Sequence, residues 1–368
     1  MKADRGYRAF LVLFVLASIL LSACGGGVGA PSSTPAASAT PAASASSGDV
    51  VLPKPEKTSV KIGHSALSGV GSATAILARQ LNLYAKYGIQ IETLQFSSPA
   101  QALQALLAGQ IDISDNSAAP VLATVGTSTP VQIVFVPRAN DTDILYTQAN
   151  IKTANDLRGK TIAISSFGSN SYAGAIYALK ALGLTDKDVT ITTVGSDTQR
   201  LAALKAGAVA ASIQDNTQEK DLNALGFNSL VRLGDVTPPI GQPSTATSVP
   251  VDFYKKYPNT VMAIVAAQLE AMTFARTHTP DEIVPLLAKE LTQTPVADLR
   301  DQLVLAQKEP WTPKDGMCRP EDIQFAKTIA VSANPALANI DALQACNNDP
   351  LNKLKALGFQ KKLGIPGY

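Results

Sequence analysis

Two stretches of the chain repeat one pattern of residues at a fixed offset, and this echo limits the possible fold more than any other feature. Ser98, Gln101, Leu103, Ala105, Leu106, Ala108, Gly109 and Ser114 return as Ser196, Gln199, Leu201, Ala203, Leu204, Ala206, Gly207 and Ser212. Part of the match is common helix grammar, a capping serine and a glycine stop. The remainder implies that each half of the body carries the same strand–helix–strand unit.

The surrounding sequence alternates in the same way. Val60-Lys61-Ile62-Gly63 reads as a strand opening into a loop of small residues, Ser65 to Ser72, and then a helix to Lys86 stopped at Gly88. Ile89 to Phe96 reads as a strand, Ala100 to Ala108 as a helix, Ile111 to Ser114 as a strand, Ala119 to Gly126 as a helix, and Val131 to Val136 as a buried strand. A second series runs through the strand Thr161 to Ile164, the loop Ser165 to Ser171, a helix through Leu182 and the strand Val189 to Val194. Strands separated by helices predict parallel pairing and an α/β fold. After Pro238-Pro239 the chain becomes Ala-rich and helical, over Val261 to Arg276, Pro280 to Glu290, Val296 to Gln307 and again from Pro320 to Lys362.

The N-terminus has a different character. Lys2, Arg5 and Arg8 precede an uncharged stretch from Ala9 to Ala23, shorter than the ~20 apolar residues of a stable membrane span. It reads as a secretory signal peptide, residues 1–23. Leu21-Ser22-Ala23-Cys24 resembles the bacterial lipobox, which implies lipidation of Cys24, since two or more acyl chains hold a protein on a membrane. Residues 24–58 are mostly Gly, Ala, Ser, Thr and Pro. Such a segment has too little apolar bulk to offset its ordering entropy, so a flexible stalk is expected.

Charge and cysteine usage narrow the function. Removing residues 1–23 leaves 31 − 3 = 28 basic and 29 − 1 = 28 acidic residues. The neutral body has no basic run, which argues against nucleic acid. Cys318 and Cys346 remain as an even pair and, in an oxidising compartment, are expected to form a disulfide. Closing about 29 residues would contribute roughly 3–4 kcal/mol. With only His64 and His278 in the chain, no metal site and no cofactor are expected.

A family resemblance joins these readings. Asp156-Leu157-Arg158-Gly159-Lys160-Thr161-Ile162-Ala163-Ile164 with its following Ser/Gly loop resembles a passage of periplasmic solute-binding proteins. The Gln101–Asn116 passage and Leu83-Tyr84-Ala85-Lys86-Tyr87-Gly88-Ile89 are similar to the nitrate/sulfonate/taurine/bicarbonate branch of that superfamily. The resemblance implies a two-lobed type II periplasmic-binding-protein fold closing like a hinge. Lobe 1 would be residues 59–143 plus 247–368, and lobe 2 residues 144–246. The crossovers would lie near Arg138–Ile144 and Gly241–Val249. It further implies a monomeric ABC-importer receptor on the extracytoplasmic face of the cell membrane, partnered by a small solute and a membrane permease.

The loops after the strands are where ligands of open α/β sheets sit. Candidate ligand residues there are Ser65, Ser68, Ser72, Asn116, Ser117, Ser166, Ser169, Asn170 and Ser171, whose hydroxyl, amide and backbone groups suit an anion such as a sulfonate or carboxylate. Serine and asparagine at these places are also ordinary helix caps. Asp115, Asp215 and Asn216 fall in the same place, where a carboxylate favours an amino or amidine group. With Phe167 as a stacking surface, they motivate a second reading, a planar nitrogen heterocycle such as a thiamine-related pyrimidine. Arg138 at a hinge is a candidate for an acidic ligand, Tyr172 for ring stacking, and Trp311 for the cleft rim.

An enzyme is the rival class. Gly63-His64-Ser65-Ala66-Leu67 has Leu67 where the hydrolase elbow needs glycine, so that reading fails. The fold also hosts a pyrimidine synthase with a histidine-rich iron site, which two histidines do not match. The expectation is a binding protein, not an enzyme.

Overall fold

The computed structural model describes residues 50–64, 69–140, 143–236, 241–292, 294–308 and 314–368. The signal peptide, Cys24, the stalk up to residue 49, Ser65, Ser68 and Trp311 lie outside these residues.

Ten strands form two five-stranded mixed sheets. The first contains β1 (Ser59–His64), β2 (Gln90–Gln95), β3 (Ile113–Asn116), β4 (Val131–Asn140) and β10 (Gly241–Pro250). The second contains β5 (Ile144–Thr147), β6 (Thr161–Ile164), β7 (Thr190–Thr193), β8 (Ala211–Gln214) and β9 (Asn228–Arg232). Their orders correspond, β2-β1-β3-β10-β4 and β7-β6-β8-β5-β9. Within each, the first three strands are parallel, as the strand–helix alternation predicts. The fourth strand is antiparallel to both neighbours, which makes each sheet mixed. β10 enters the first sheet only after the chain has built the second, and β5 enters the second directly on leaving the first.

The echo lands on matching elements. The helices Pro99–Leu107 and Asp197–Lys205 stand at the same offset as β3 and β8. Ser98 and Ser196 each cap their helix by accepting the amide N–H three residues on, both at 3.3 Å. Gly109 and Gly207 both stop it in the left-handed region, at φ 69° and 71°, where glycine meets no Cβ penalty.

Two large apolar clusters support the sheets. One gathers around the helix Pro258–Thr277, whose buried residues run from Thr260 to Ala275 on nearly every side. A helix apolar all round belongs in an interior. The other joins Leu103 and Leu106 to Ile162, Leu179 and Ile329, with Tyr177 stacked on Phe325 at 4.7 Å. Cys318 and Cys346 are bonded, with Cα atoms 5.7 Å apart. Their segments cover the free edge of β4, where Asn347 donates its N–H to Ile133 O and Val136 donates to Gly316 O.

The last part of the segment read as stalk is docked. Val50 and Leu52 pack against the cluster around Pro258–Thr277. The Glu56 carboxylate accepts the N–H groups of Asn259 and Thr260 at 3.1 and 2.9 Å. That helix begins with Tyr257 and Pro258 and has no side-chain cap of its own, so Glu56 fills the N-cap role from 203 residues away in sequence. Lys57 pairs with Asp112 at 2.7 Å. No described helix is long and apolar enough to cross a membrane.

Candidate functional site

A cavity of about 170 Å³ lies among the strand ends of both sheets and the crossing strands β4 and β10. The first sheet contributes His64 at the end of β1, Asp115 on β3 and Ser117 just after it. The antiparallel pairing of β10 with β3 sets Thr247 opposite Asp115. The pairing of β10 with β4 sets Thr245 opposite Arg138, with register shifts on either side of Thr245 and Thr247. The second sheet contributes Ser165 after β6, Asn170 and Ser171 at the next helix start, and Asp215 after β8.

On the first-sheet side the polar groups form one buried network. Arg79 donates to His64 Nε2 at 3.1 Å. Arginine is always protonated, so the His64 proton sits on Nδ1, 3.3 Å from Asp115 Oδ2. Thr247 Oγ1 donates to Asp115 Oδ1 at 2.6 Å, and Gln268 Nε2 approaches the same carboxylate at 3.4 Å. Behind the ring, Glu290 pairs with Arg79 and accepts from Gln80 at 2.8 Å. Burial holds the His64 pKa below its ordinary value; Asp115 pulls it up and Arg79 pushes it down. His64 is therefore a neutral bridge between two fixed charges.

The second-sheet side carries a buried guanidinium. Arg200, 3% exposed, donates from Nε to Ile213 O at 3.2 Å and from Nη1 to Gly195 O at 2.8 Å. Its remaining nitrogen pairs with Asp197, and both side chains border the cavity. The lining thus holds four carboxylates, Asp115, Asp143, Asp197 and Asp215, against the guanidiniums of Arg138 and Arg200. A Cβ on Gly71 would stand 3.6 Å from Arg138 Nη1 and 3.7 Å from Asp215 Oδ2. The two sides therefore approach each other at this glycine.

Seven of the residues singled out from the sequence border this cavity: Ser72, Asp115, Ser117, Arg138, Asn170, Ser171 and Asp215. Ser117 Oγ is buried with no protein partner. Ser171 Oγ instead accepts from Ser165 N at 2.8 Å. Ser169 caps the helix Asn170–Ala181 through Tyr172 N at 3.2 Å and does not line the cavity. Ser166 is buried away from the lining with its hydroxyl unpartnered. Phe167 is 57% exposed and meets Tyr172 edge-on at 5.4 Å, so it does not line the cavity. Asn216 borders a separate cavity of about 310 Å³ with Glu219, Asp298 and Gln302. Asn116 contributes backbone to β3; its side chain, like Ser65 and Ser68, lies outside the described residues.

Sequence reasoning missed the group around Arg200 although the echo marks it. Pro99 and Asp197 occupy equivalent helix positions, and both border the cavity. Thr247 and Gln268 had no such marker, because strand pairing brings Thr247 to Asp115 and the packing of the helix Pro258–Thr277 brings Gln268 there. Among the described residues no three His, Cys, Asp or Glu side chains are grouped to hold a metal ion.

The NMT1-like family model matches residues 53–288. No curated protein matches significantly. A structure from Bordetella bronchiseptica RB50 is similar at 19% identity, covering 85% of this chain and 100% of that one with a TM-score of 0.73. The periplasmic aliphatic sulphonate-binding protein SsuA of Escherichia coli is similar at 22% identity, over 80% of this chain and 99% of its own, with a TM-score of 0.62. The periplasmic nitrate-binding protein NrtA of Synechocystis PCC 6803 is similar at 17% identity, over 86% and 92%, with a TM-score of 0.67. These likenesses establish the type II periplasmic-binding-protein fold. The similar structures are mostly binding proteins, though that of DszB with biphenyl-2-sulfinic acid matches too.

Proposed function

The chain belongs to the NMT1-like family, and from that premise we propose that it is the extracytoplasmic, lipid-anchored solute-binding component of an ABC importer. Each sheet is the core of one lobe, with lobe 1 at 59–143 plus 247–368 and lobe 2 at 144–246. β4 and β10 serve as paired hinge strands. The receptor is a monomer held by Cys24 at the cell membrane, where it delivers solute to a permease.

The observation that carries this reading is the cavity itself, to which both sheets contribute charged side chains, β4 adds Arg138 and β10 adds the hydroxyls of Ser244, Thr245 and Thr247. A site divided in this way binds its ligand by closing. The solute is a small organic acid of the sulfonate or carboxylate kind, with its acid group toward Arg138 and Arg200. The excess of carboxylates over guanidiniums disfavours an anion without a donor group. A nitrogen on the same molecule would meet Asp115 or Asp215.

That excess also favours a second reading, a planar nitrogen heterocycle such as a thiamine-related pyrimidine. Phe167 gives it no support, since the ring stands outside the lining. We read the chain as a binding protein rather than an enzyme, supported by the His64 ring, whose two nitrogens are both engaged within the protein.

Calorimetry against alkanesulfonates, taurine, aromatic acids and aminopyrimidines tests these readings. Saturable binding of an acid that Arg138→Ala weakens at least tenfold supports the first; an aminopyrimidine that Asp115→Asn weakens supports the second. Chemical turnover of any panel member, detected by mass spectrometry, would contradict the binding-protein reading.

A further inference from the structure

The end of the tether enters lobe 1 through a face built from lysines laid over aromatic rings. Lys57 Nζ lies 5.6 Å from the centre of the Phe253 ring, and Lys353 Nζ 5.7 Å from that of Tyr254. Lys256 stands over Tyr257 at 5.2 Å and Lys355 over Tyr368 at 4.8 Å. Lys86 over Tyr87 at 5.3 Å completes the set found among the described residues.

Three of these pairs are joined, and Tyr87 and Tyr368 pack against the same apolar cluster as Phe253 and Tyr254. Phe253 and Tyr257 are 5.0 Å apart, and Tyr254 shares the acid Asp349 with Lys353. Tyr87 meets Phe359 edge-on, one helix from Lys355. The incoming chain passes between these parts, since a Cβ on Gly88 would lie 3.6 Å from the Pro55 ring. Among the described residues no carboxylate pairs with Lys256 or Lys355, both exposed. Lys361 and Lys362 add further charge close by in sequence, on a body whose total charge is neutral.

We propose that this face rests on an anionic lipid surface and orients lobe 1 on the membrane. Tyrosines and lysine stems are amphipathic, with an apolar body and a polar tip, and such side chains gather at the membrane–water boundary. Basic clusters are drawn to anionic headgroups. The 27 residues from Cys24 to Val50 can span at most about 90 Å, so the lipid keeps the body beside the membrane without dictating which side faces it. The tether joint has the shortest path to the bilayer, and its chemistry suits that place. The proposal shares with the proposed function only the tether at Cys24, and its test involves no solute.

The test uses the mature full-length chain carrying Cys24→Ser, which removes the lipid, in co-sedimentation with vesicles. Partitioning onto vesicles of roughly one-third phosphatidylglycerol should exceed that onto pure phosphatidylcholine by about tenfold and fall away at high salt. The double substitution Lys256→Glu with Lys355→Glu should reduce it to the phosphatidylcholine level while leaving the melting temperature unchanged. Equal partitioning onto both vesicles, or full binding by a folded double variant, would overturn the proposal. So would a dimer in the absence of vesicles that the same substitutions split, because the face would then serve a second copy of the chain.

Discussion

Arg79 donates to His64 across 3.1 Å, and that one contact decides what Asp115 can offer a solute. It places the imidazole proton on the side of Asp115, so the carboxylate enters the cavity already facing the His64 Nδ1–H at 3.3 Å and holding a hydrogen bond from Thr247. The acid is oriented before any solute arrives, and its network costs no reordering on binding.

The His64 ring titrates below its ordinary value because it is buried and faces Arg79, against the pull of Asp115. In the unfolded chain it takes up a proton near the ordinary 6.5. Its contribution to stability is therefore complete above about pH 6.5 and is lost as pH falls below it, by at most about 1.4 kcal/mol per pH unit. His64→Gln, which can still accept from Arg79 and donate to Asp115, should flatten the dependence of melting temperature on pH between about pH 7 and 5. Denaturation curves across that range check this.

Gly71 lies beside both Arg138 and Asp215. Its Cβ position is in ordinary contact with both, so Gly71→Ala should fold normally. Gly71→Val adds two methyl groups in the same space. We expect it to weaken solute binding by about tenfold or more while shifting stability by less than about 1 kcal/mol; calorimetry and thermal melts read the two effects separately.

Glu56 caps the central helix from outside it. Truncation by Glu56→Ala should cost about 1–2 kcal/mol, the upper range for loss of an N-cap. Burial opposes ionisation of Glu56, but the Thr260 and Asn259 amides and the Thr260 hydroxyl hold its pKa below the ordinary 4.5. The lost stability should therefore be present above about pH 4.5 and vanish as pH falls below it. Urea unfolding at two pH values distinguishes this from a loss of packing.

The disulfide joins two segments along the edge of β4. Replacing Cys318 and Cys346 together by serine should lower stability by about 3–4 kcal/mol. Because neither cysteine borders the cavity, solute affinity at a temperature where the variant is folded should change little. Calorimetric unfolding and binding on the same sample check both statements.

The echo between Ser98–Ser114 and Ser196–Ser212 was legible because helix caps and glycine stops are local chemistry, and both copies fold as the pattern implies. β5, β9 and β10 were not. Ile144–Thr147 is too short for its alternation to register, and Gly241–Pro250 contains two prolines and mostly polar residues. β10 is a strand because β3 and β4 pair with it on both sides, which is a tertiary fact. The cavity was half legible for the same reason. Ser72, Asp115, Asn170 and Asp215 follow recognisable strands or begin helices. Gln268 looks like any helical glutamine until Pro258–Thr277 is packed beneath Asp115. Arg200 reads as a solvated residue of an amphipathic helix, whereas Asp197 and two backbone carbonyls hold it buried.

The central claim is that one solute is held by both sheets at once. Hydrogen–deuterium exchange on the protein saturated with the tightest-binding member of the solute panel tests it most directly. We expect new protection together at residues 115–118, 196–200 and 244–247, with one shared saturation curve. Protection confined to the loops of one sheet, with the other unchanged at saturation, would contradict the account.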